Sequence, residues 1–181
     1  YARNGNPNQH WLEEKVAALH GADDAIVLGS GVAALHALFW TLLKTGDRVV
    51  YPKVSYMAVY RLFHELFNRK FGIETVMVDM TDLEAVKKAI TPGTRLVHIE
   101  TPDNPTDGIS DIAAIAKIAH ENGAVLSVDN TFASPLNQHP LDFGADFVVE
   151  SLTKYINGHG DAQGGAIISN DLATMDRIRY E

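Results

Sequence analysis

The chain has 181 residues, 46% of them hydrophobic, enough for one globular domain with a sizeable core and too apolar for a disordered segment. A formal net charge of −8 without a Lys/Arg cluster argues against nucleic acid or an anionic membrane surface as partner, and no apolar run approaches the ~20 residues of a membrane span. With no cysteine there is no disulfide framework, thiolate metal site or thiol nucleophile, a composition that fits the cytoplasm.

Short β-branched runs alternate with segments of helical period along the chain. Gln9 to His20 places Trp11, Leu12, Val16 and Leu19 on one helical face, and Ala25 to Leu28 reads as a buried strand. After the Gly29-Ser30-Gly31 turn a helix is predicted over Val32 to Lys44, then a strand over Arg48 to Tyr51 and a helix over Tyr56 to Lys70. Thr75 to Val78 is a strand. Thr81-Asp-Leu-Glu84 has the form of a capping box for a helix ending at Ile90, and Ser110 is the expected cap of a helix to Glu121. Arg95 to Ile99, Ala124 to Val128, Phe147 to Val149 and Ala166 to Ile168 are apolar throughout, as strands covered on both faces are. The pattern predicts one α/β domain with a mainly parallel sheet. Its last residues, Asp171 to Glu181, read as a helix just begun, and the start at Tyr1 has neither methionine nor a signal-like segment, so the sequence reads as a fragment.

In such sheets ligands bind at the carboxyl ends of the strands. The residues after the strands are polar here: Ser30, Gly31 and Val32 at a helix start, then Tyr56, Glu100, Asn104, Asp129, Ser151, Thr153 and Lys154. The glycines flanking Ser30 would let amides at a helix N-terminus approach an anion, although any βα turn uses glycine and the G-x-G-x-x-G and GK[ST] nucleotide patterns are absent. Lys154 stands between hydroxyls and the Asn157-Gly158-His159-Gly160-Asp161 turn, beyond a buried-looking strand, where a desolvated reactive amine has a purpose that a surface lysine lacks. Asp129 is either a turn or cap residue or a buried carboxylate that needs a cation. An imine-forming lysine, an aspartate that keeps a pyridine nitrogen protonated and hydroxyls for a phosphate are the parts of a pyridoxal phosphate site. His36, His64, His98 and His120 lack metal-ligand spacing and no zinc site is expected, while His159 belongs to a turn that could orient the lysine loop.

Five ordered segments carry a resemblance: Tyr1 to Pro7, Gly29 to Ala33, Glu100 to Pro105, Val128 to Pro135 and Ser151 to Asp161. Over its whole length the chain resembles the pyridoxal 5'-phosphate-dependent enzymes of cysteine and methionine metabolism, which include methionine γ-lyase, cystathionine γ-lyase, cystathionine γ-synthase and O-acetylhomoserine sulfhydrylase. The resemblance implies the large, three-layer cofactor domain of fold type I, like that of aspartate aminotransferase, followed in the whole protein by a smaller C-terminal domain bearing the arginine that grips the substrate carboxylate. It implies that Lys154 is the Schiff-base lysine and Asp129 the partner of the ring nitrogen. Ser151, Thr153 and the amides of Gly31 and Val32 would hold the phosphate, with Ser30 also among the cofactor-binding residues. Tyr56 would stack on the ring and move protons, Asn104 would lie near the 3-hydroxyl, and Glu100 and Thr131 would stand beside the cofactor. Tyr1 and Arg3 would cross to the phosphate of a neighbouring subunit, making a homodimer or homotetramer with a shared site.

The activity so implied is γ-elimination or γ-replacement on a small amino-acid substrate, with a methionine γ-lyase-like carbon–sulfur lyase as the leading expectation and a cystathionine γ-synthase or sulfhydrylase-type transferase beside it. Departures concern the substrate side. Met57 and Ala58 follow Tyr56 where the family has glycine and a nearby threonine, Ala58 stands where familiar methionine γ-lyases carry cysteine, and Gln163 is unusual in its turn. A truncated, non-catalytic assembly domain is the contrasting possibility, which intact Lys154 and Asp129 oppose; a nucleotide-binding module is a further one.

Overall fold

The computed structural model describes residues 5–180. Seven strands form one sheet in the order β1-β7-β6-β5-β4-β2-β3: β1 Asp24–Leu28, β2 Arg48–Pro52, β3 Glu74–Val78, β4 Thr94–Glu100, β5 Val125–Asp129, β6 Phe147–Glu150 and β7 Gly165–Ser169. Five run in one direction through parallel pairings from β3 to β6. The exception to the parallel pattern is β7, which is antiparallel to both of its neighbours, β1 and β6. The connection between β6 and β7 has no helix. Parallel strands are usually joined by a helical crossover, so this short return favours the antiparallel direction.

Successive side chains on a strand point to opposite faces, and the core divides accordingly. Val49, Tyr51, Leu96, Phe147, Val149 and Ile167 pack beneath α2 (Gly31–Leu42), a π-helical stretch (Arg61–Asn68) and α8 (Leu172–Tyr180). Val50, Val97, Ile99, Leu126 and Val128 pack beneath α5 (Leu83–Ala89) and α6 (Ile112–Glu121) on the other face. That same face meets α1 (Pro7–His20) through Ala25, Val148, Ala166 and Ile168. Three layers result, as expected of strands that are apolar throughout. Phe39 and Phe63 stack with centroids 4.4 Å apart at the centre of the first layer, with Tyr51 4.9 Å from Phe63.

Local chemistry sets the helix ends. Asn6 caps α1 by accepting from the Gln9 amide at 2.9 Å, Pro7 supplies a helix-ready φ, and Gly21 closes the helix at φ 63°. Two expected caps move by one residue. Asp82, not Thr81, caps α5 by accepting from the Glu84 and Ala85 amides, while Thr81 turns back to Asp79. Asp111, not Ser110, caps α6 by accepting from the Ala114 amide, while the Ser110 amide donates to the Thr101 hydroxyl. The helix expected from Tyr56 is present as α3 (Met57–Tyr60), the π stretch and α4 (Arg69–Phe71), with its middle wound more widely than an α-helix. Two short helical pieces, α7 (Ser134–Asn137) and a 3₁₀ turn (Pro140–Phe143), lie between β5 and β6.

The start of α2 is held against two strand ends by the absence of side chains. A Cβ on Gly31 would lie 2.8 Å from the Ser151 Cβ, and one on Gly165 would collide with the Ser30 carbonyl oxygen, which is backbone and cannot swing aside. Gly165→Ala is therefore expected to destabilise the fold by about 1–3 kcal/mol, the usual penalty for overpacking; urea unfolding of the variant against wild type measures it.

Candidate active site

The pocket at the carboxyl edge of the sheet is lined by Ser30, Gly31, Val32 and Leu35 from the start of α2, by Tyr56, Glu100, Asn104, Asp129, Thr131, Phe132, Ser151, Thr153 and Lys154, and by Gln163. Its volume is about 220 Å³. Every post-strand residue singled out in the sequence lines it, because parallel strands end at the same edge and β6 ends beside them. Tyr1 and Arg3 lie outside the described residues. Leu35, one turn inside α2, and Phe132 line the pocket without having been singled out as site residues. Gln163 had been noted only as unusual in its turn.

The pocket has an anion-binding end. The amides of Gly31 and Val32 begin α2 and have no acceptor within the helix, whereas those of Ala33 and Ala34 reach the Ser30 hydroxyl and carbonyl. Partial positive charge at a helix N-terminus and the glycine's open approach make this end receptive to phosphate. Ser151 sits against Gly31, its amide donating to the Thr131 hydroxyl at 2.8 Å. Thr131 in turn donates its amide to Asp129 Oδ1 at 3.0 Å, so one threonine fixes both the carboxylate and the serine turn. The Thr153 hydroxyl donates to the Gly164 carbonyl and accepts from the Gly164 amide, both at 3.1 Å. Its single proton is used within the protein, which leaves it an acceptor toward the pocket.

The floor is acidic. Glu100 and Asp129 are register partners at the ends of adjacent parallel strands, and both are buried. Burial, reinforced by the charge of Asp129, raises the Glu100 carboxyl from its ordinary 4.5 to about 8, against the lowering effect of hydrogen bonds from the Tyr56 and Asn104 amides. Burial likewise raises Asp129 from 3.8 to about 6, opposed by the Thr131 hydrogen bonds and assisted by the charge of Glu150. Glu100 is also a clamp. Its Oε2 accepts from the Tyr56 amide at 2.7 Å and its Oε1 from the Asn104 amide at 2.9 Å, fixing the backbone of two pocket-lining loops. No cation pairs with Asp129 among the described residues.

Lys154 enters from the turn after β6, where its amide donates to the Ser151 carbonyl and its carbonyl accepts from the Gly158 amide. The sequence suggested a desolvated amine, but the side chain is exposed, because the pocket opens to solvent on this side. His159 is exposed and belongs to a turn closed by Asn157, whose side-chain amide donates to the His159 carbonyl at 2.8 Å and to Asp161 at 3.1 Å. His98 is deep in the core against Phe39 and Ser127, and burial drives its imidazole down to about 3. No cluster of three or more metal-ligating side chains is present among the described residues.

Residues 1–181 match the sequence profile of the family described as Cys/Met metabolism PLP-dependent enzyme. The chain is 49% identical over 181 residues to the canavanine γ-lyase of Pseudomonas canavaninivorans, an alignment covering 100% of this chain and 45% of that protein. It is 41% identical over 181 residues to the L-methionine γ-lyase of Pseudomonas putida, again across 100% of this chain and 45% of the relative. The crystal structure of metB from Corynebacterium glutamicum superposes with a TM-score of 0.96 at 44% identity, over 99% of this chain and 46% of that one. The chain thus spans somewhat under half the length of these relatives.

The two raised carboxyls carry a stability signature. Each binds its proton more tightly folded than unfolded, so the unliganded protein loses stability as pH rises, for Asp129 between 3.8 and about 6 and for Glu100 between 4.5 and about 8. Glu100→Gln is expected to flatten the part of this decline between about 6 and 8 while leaving the Asp129 part in place; urea midpoints measured across pH for both proteins test it.

Proposed function

We propose, for a chain that belongs to the Cys/Met metabolism PLP-dependent enzymes, that the carboxyl-edge pocket holds pyridoxal 5'-phosphate and serves γ-elimination on an amino acid with a heteroatom on its γ-carbon. The observation that carries this reading is the convergence in one pocket of a helix N-terminus, a buried carboxylate without a cation among the described residues and a lysine amine. The donor set fits the cofactor at both ends. A phosphate matches the Gly31 and Val32 amides with the Ser30 and Ser151 hydroxyls, and a pyridinium would supply a positive charge that no described residue gives buried Asp129.

The bound cofactor supplies a carbonyl that takes up an amine covalently and a protonated ring that withdraws electrons from the substrate α-carbon. Asp129 holds the proton on the ring nitrogen, and a cation there returns its carboxyl toward the ionised form. Lys154 anchors the cofactor, then takes the proton from the substrate α-carbon and moves it onward. Tyr56 and Asn104, their backbones fixed by Glu100, would hold the cofactor, Tyr56 against its ring, where it would also handle the proton at the leaving group, and Asn104 near its hydroxyl. Thr131 positions Asp129 and Ser151 together. The γ-substituent leaves with a proton, and addition of one water molecule then releases ammonia and supplies the keto oxygen of a 2-oxo acid.

Methionine γ-lyase-like carbon–sulfur cleavage is the leading specific activity, and the resemblance to a canavanine γ-lyase makes an oxygen-linked γ-substituent the companion to test. Replacement of the γ-substituent by a thiol, the synthase-type outcome, draws on the same residues and differs only in acceptor access. A homodimer or homotetramer in the cytoplasm, with Tyr1 and Arg3 serving a neighbour's phosphate, completes the proposal. No helix among the described residues is long and apolar enough to cross a membrane.

The full-length protein is expected to release a 2-oxo acid and ammonia from methionine or canavanine, and Lys154→Ala to lower that turnover by about 10²–10⁴-fold or more. Wild-type turnover that survives unchanged in Lys154→Ala, or no carbon–heteroatom cleavage of either substrate or of cystathionine, contradicts the reading.

A further inference from the structure

A second polar layer lies beneath the pocket floor, on the face of the sheet that α1 covers. Glu150 ends β6, one residue past the Val149 that pairs with Asp129, and neither its carboxylate nor the ring of His20 has more than 1% side-chain exposure. Glu150 Oε1 accepts from Asn130 Nδ2 at 3.0 Å and lies 3.4 Å from His20 Nε2. Asn130 follows Asp129 directly, and its side-chain oxygen accepts from Gln138 Nε2 at 2.8 Å, which also reaches the Thr101 carbonyl at 2.9 Å. Both His20 ring nitrogens are buried without a hydrogen bond among the described residues. A buried carboxylate and a buried imidazole are each costly to hide, and neither has a part in the proposed proton transfers.

The position of this layer gives it a use. Charges interact strongly across the poorly screened interior of a sheet. Three carboxylates, Glu100, Asp129 and Glu150, end the adjacent strands β4, β5 and β6. The titratable groups around Asp129 are Glu100 from β4, Glu150 from β6, Lys154 from the pocket wall and, behind Glu150, His20 from α1; α7, which also packs on α1, contributes none.

We infer that Glu150, held between Asn130 and the His20 ring, is a positioning residue whose negative charge sets the proton affinity of Asp129 and thereby the grip of Asp129 on the ring nitrogen of the cofactor. The inference rests on the cofactor reading above for its last link only; the electrostatic link is a property of the chain itself. The direction agrees with the part Glu150 plays in raising the Asp129 carboxyl. His20 and Asn130 keep the Glu150 carboxylate from turning away, and the Gln138 amide ties Asn130 to the Thr101 carbonyl just after β4.

The test is a carboxyl titration by ¹³C NMR, with labelled aspartate, of the full-length protein freed of cofactor. Glu150→Gln keeps the size and an acceptor for Asn130 while removing the charge. Its Asp129 midpoint is expected to fall by about half a pH unit or more from the wild-type value, with the bound cofactor's absorbance bands shifting their pH dependence in the loaded form. A folded Glu150→Gln protein, judged by its circular dichroism and unfolding midpoint, whose Asp129 midpoint stays at the wild-type value overturns the inference and leaves a purely structural polar layer. If Glu150→Gln does not fold, Glu150→Met supplies the same uncharged readout. A protein that shows the Asp129 shift yet binds no pyridoxal phosphate upholds the electrostatic link and overturns the proposed function instead.

Discussion

The rest of the site depends on a charge imbalance: buried carboxylates at the ends of neighbouring parallel strands, with no cation among the described residues paired to the one in the middle. Glu100 and Asp129 are brought side by side by their register, and burial works against ionisation of both. A fold does not keep such groups unless something offsets them. Two backbone amides offset part of the Glu100 charge and Thr131 part of the Asp129 charge. What remains is a demand for positive charge directed into a pocket whose opposite end is a helix N-terminus suited to an anion. Acid floor and amide-lined end together select a ligand carrying a cationic ring and an anionic group.

The same constraint explains how the backbone is arranged. The α2 N-terminus reaches the pocket because Gly31 and Gly165 give up their side chains where backbone meets Ser151 and Ser30. Thr131 serves two neighbours with one residue, coupling the carboxylate to the serine turn that precedes Lys154. Glu100 does the same for the Tyr56 and Asn104 loops. Positions of pocket groups are thus set by backbone hydrogen bonds to buried acids, which hold geometry more tightly than flexible side-chain contacts. Lys154, by contrast, is exposed on its turn.

Much of this was legible in the chain. Strands apolar throughout announce a sheet covered on both faces, and the residues that follow them line the pocket because parallel strands share a carboxyl edge. The direction of β7 was not legible, since Ala166 to Ile168 is as apolar as the parallel strands and only the helix-free return from β6 reverses it. Two caps slipped by one residue because Thr81-Asp82 and Ser110-Asp111 each offer two side chains able to cap, and the Thr81 hydroxyl is taken up by Asp79 two residues before it. Leu35 escaped notice because it lies a full turn beyond the motif at the start of α2. The pairing of His20 with Glu150 crosses most of the chain and has no motif to mark it; of the helical face read from Trp11, Leu12, Val16 and Leu19 only Val16 is buried, and α1 instead turns Val16, Ala17 and His20 inward. The widened middle of the helix after Tyr56 leaves the helical pattern of its sequence nearly unchanged.

The measurement closest to the central claim is peptide mapping of the full-length protein after incubation with pyridoxal 5'-phosphate and reduction with borohydride. The account predicts that the phosphopyridoxyl group is found on the peptide containing Lys154, in stoichiometric amount and without appreciable labelling of the other lysines. Label spread over surface lysines, or none on Lys154, would contradict the assignment of the acidic pocket to this cofactor.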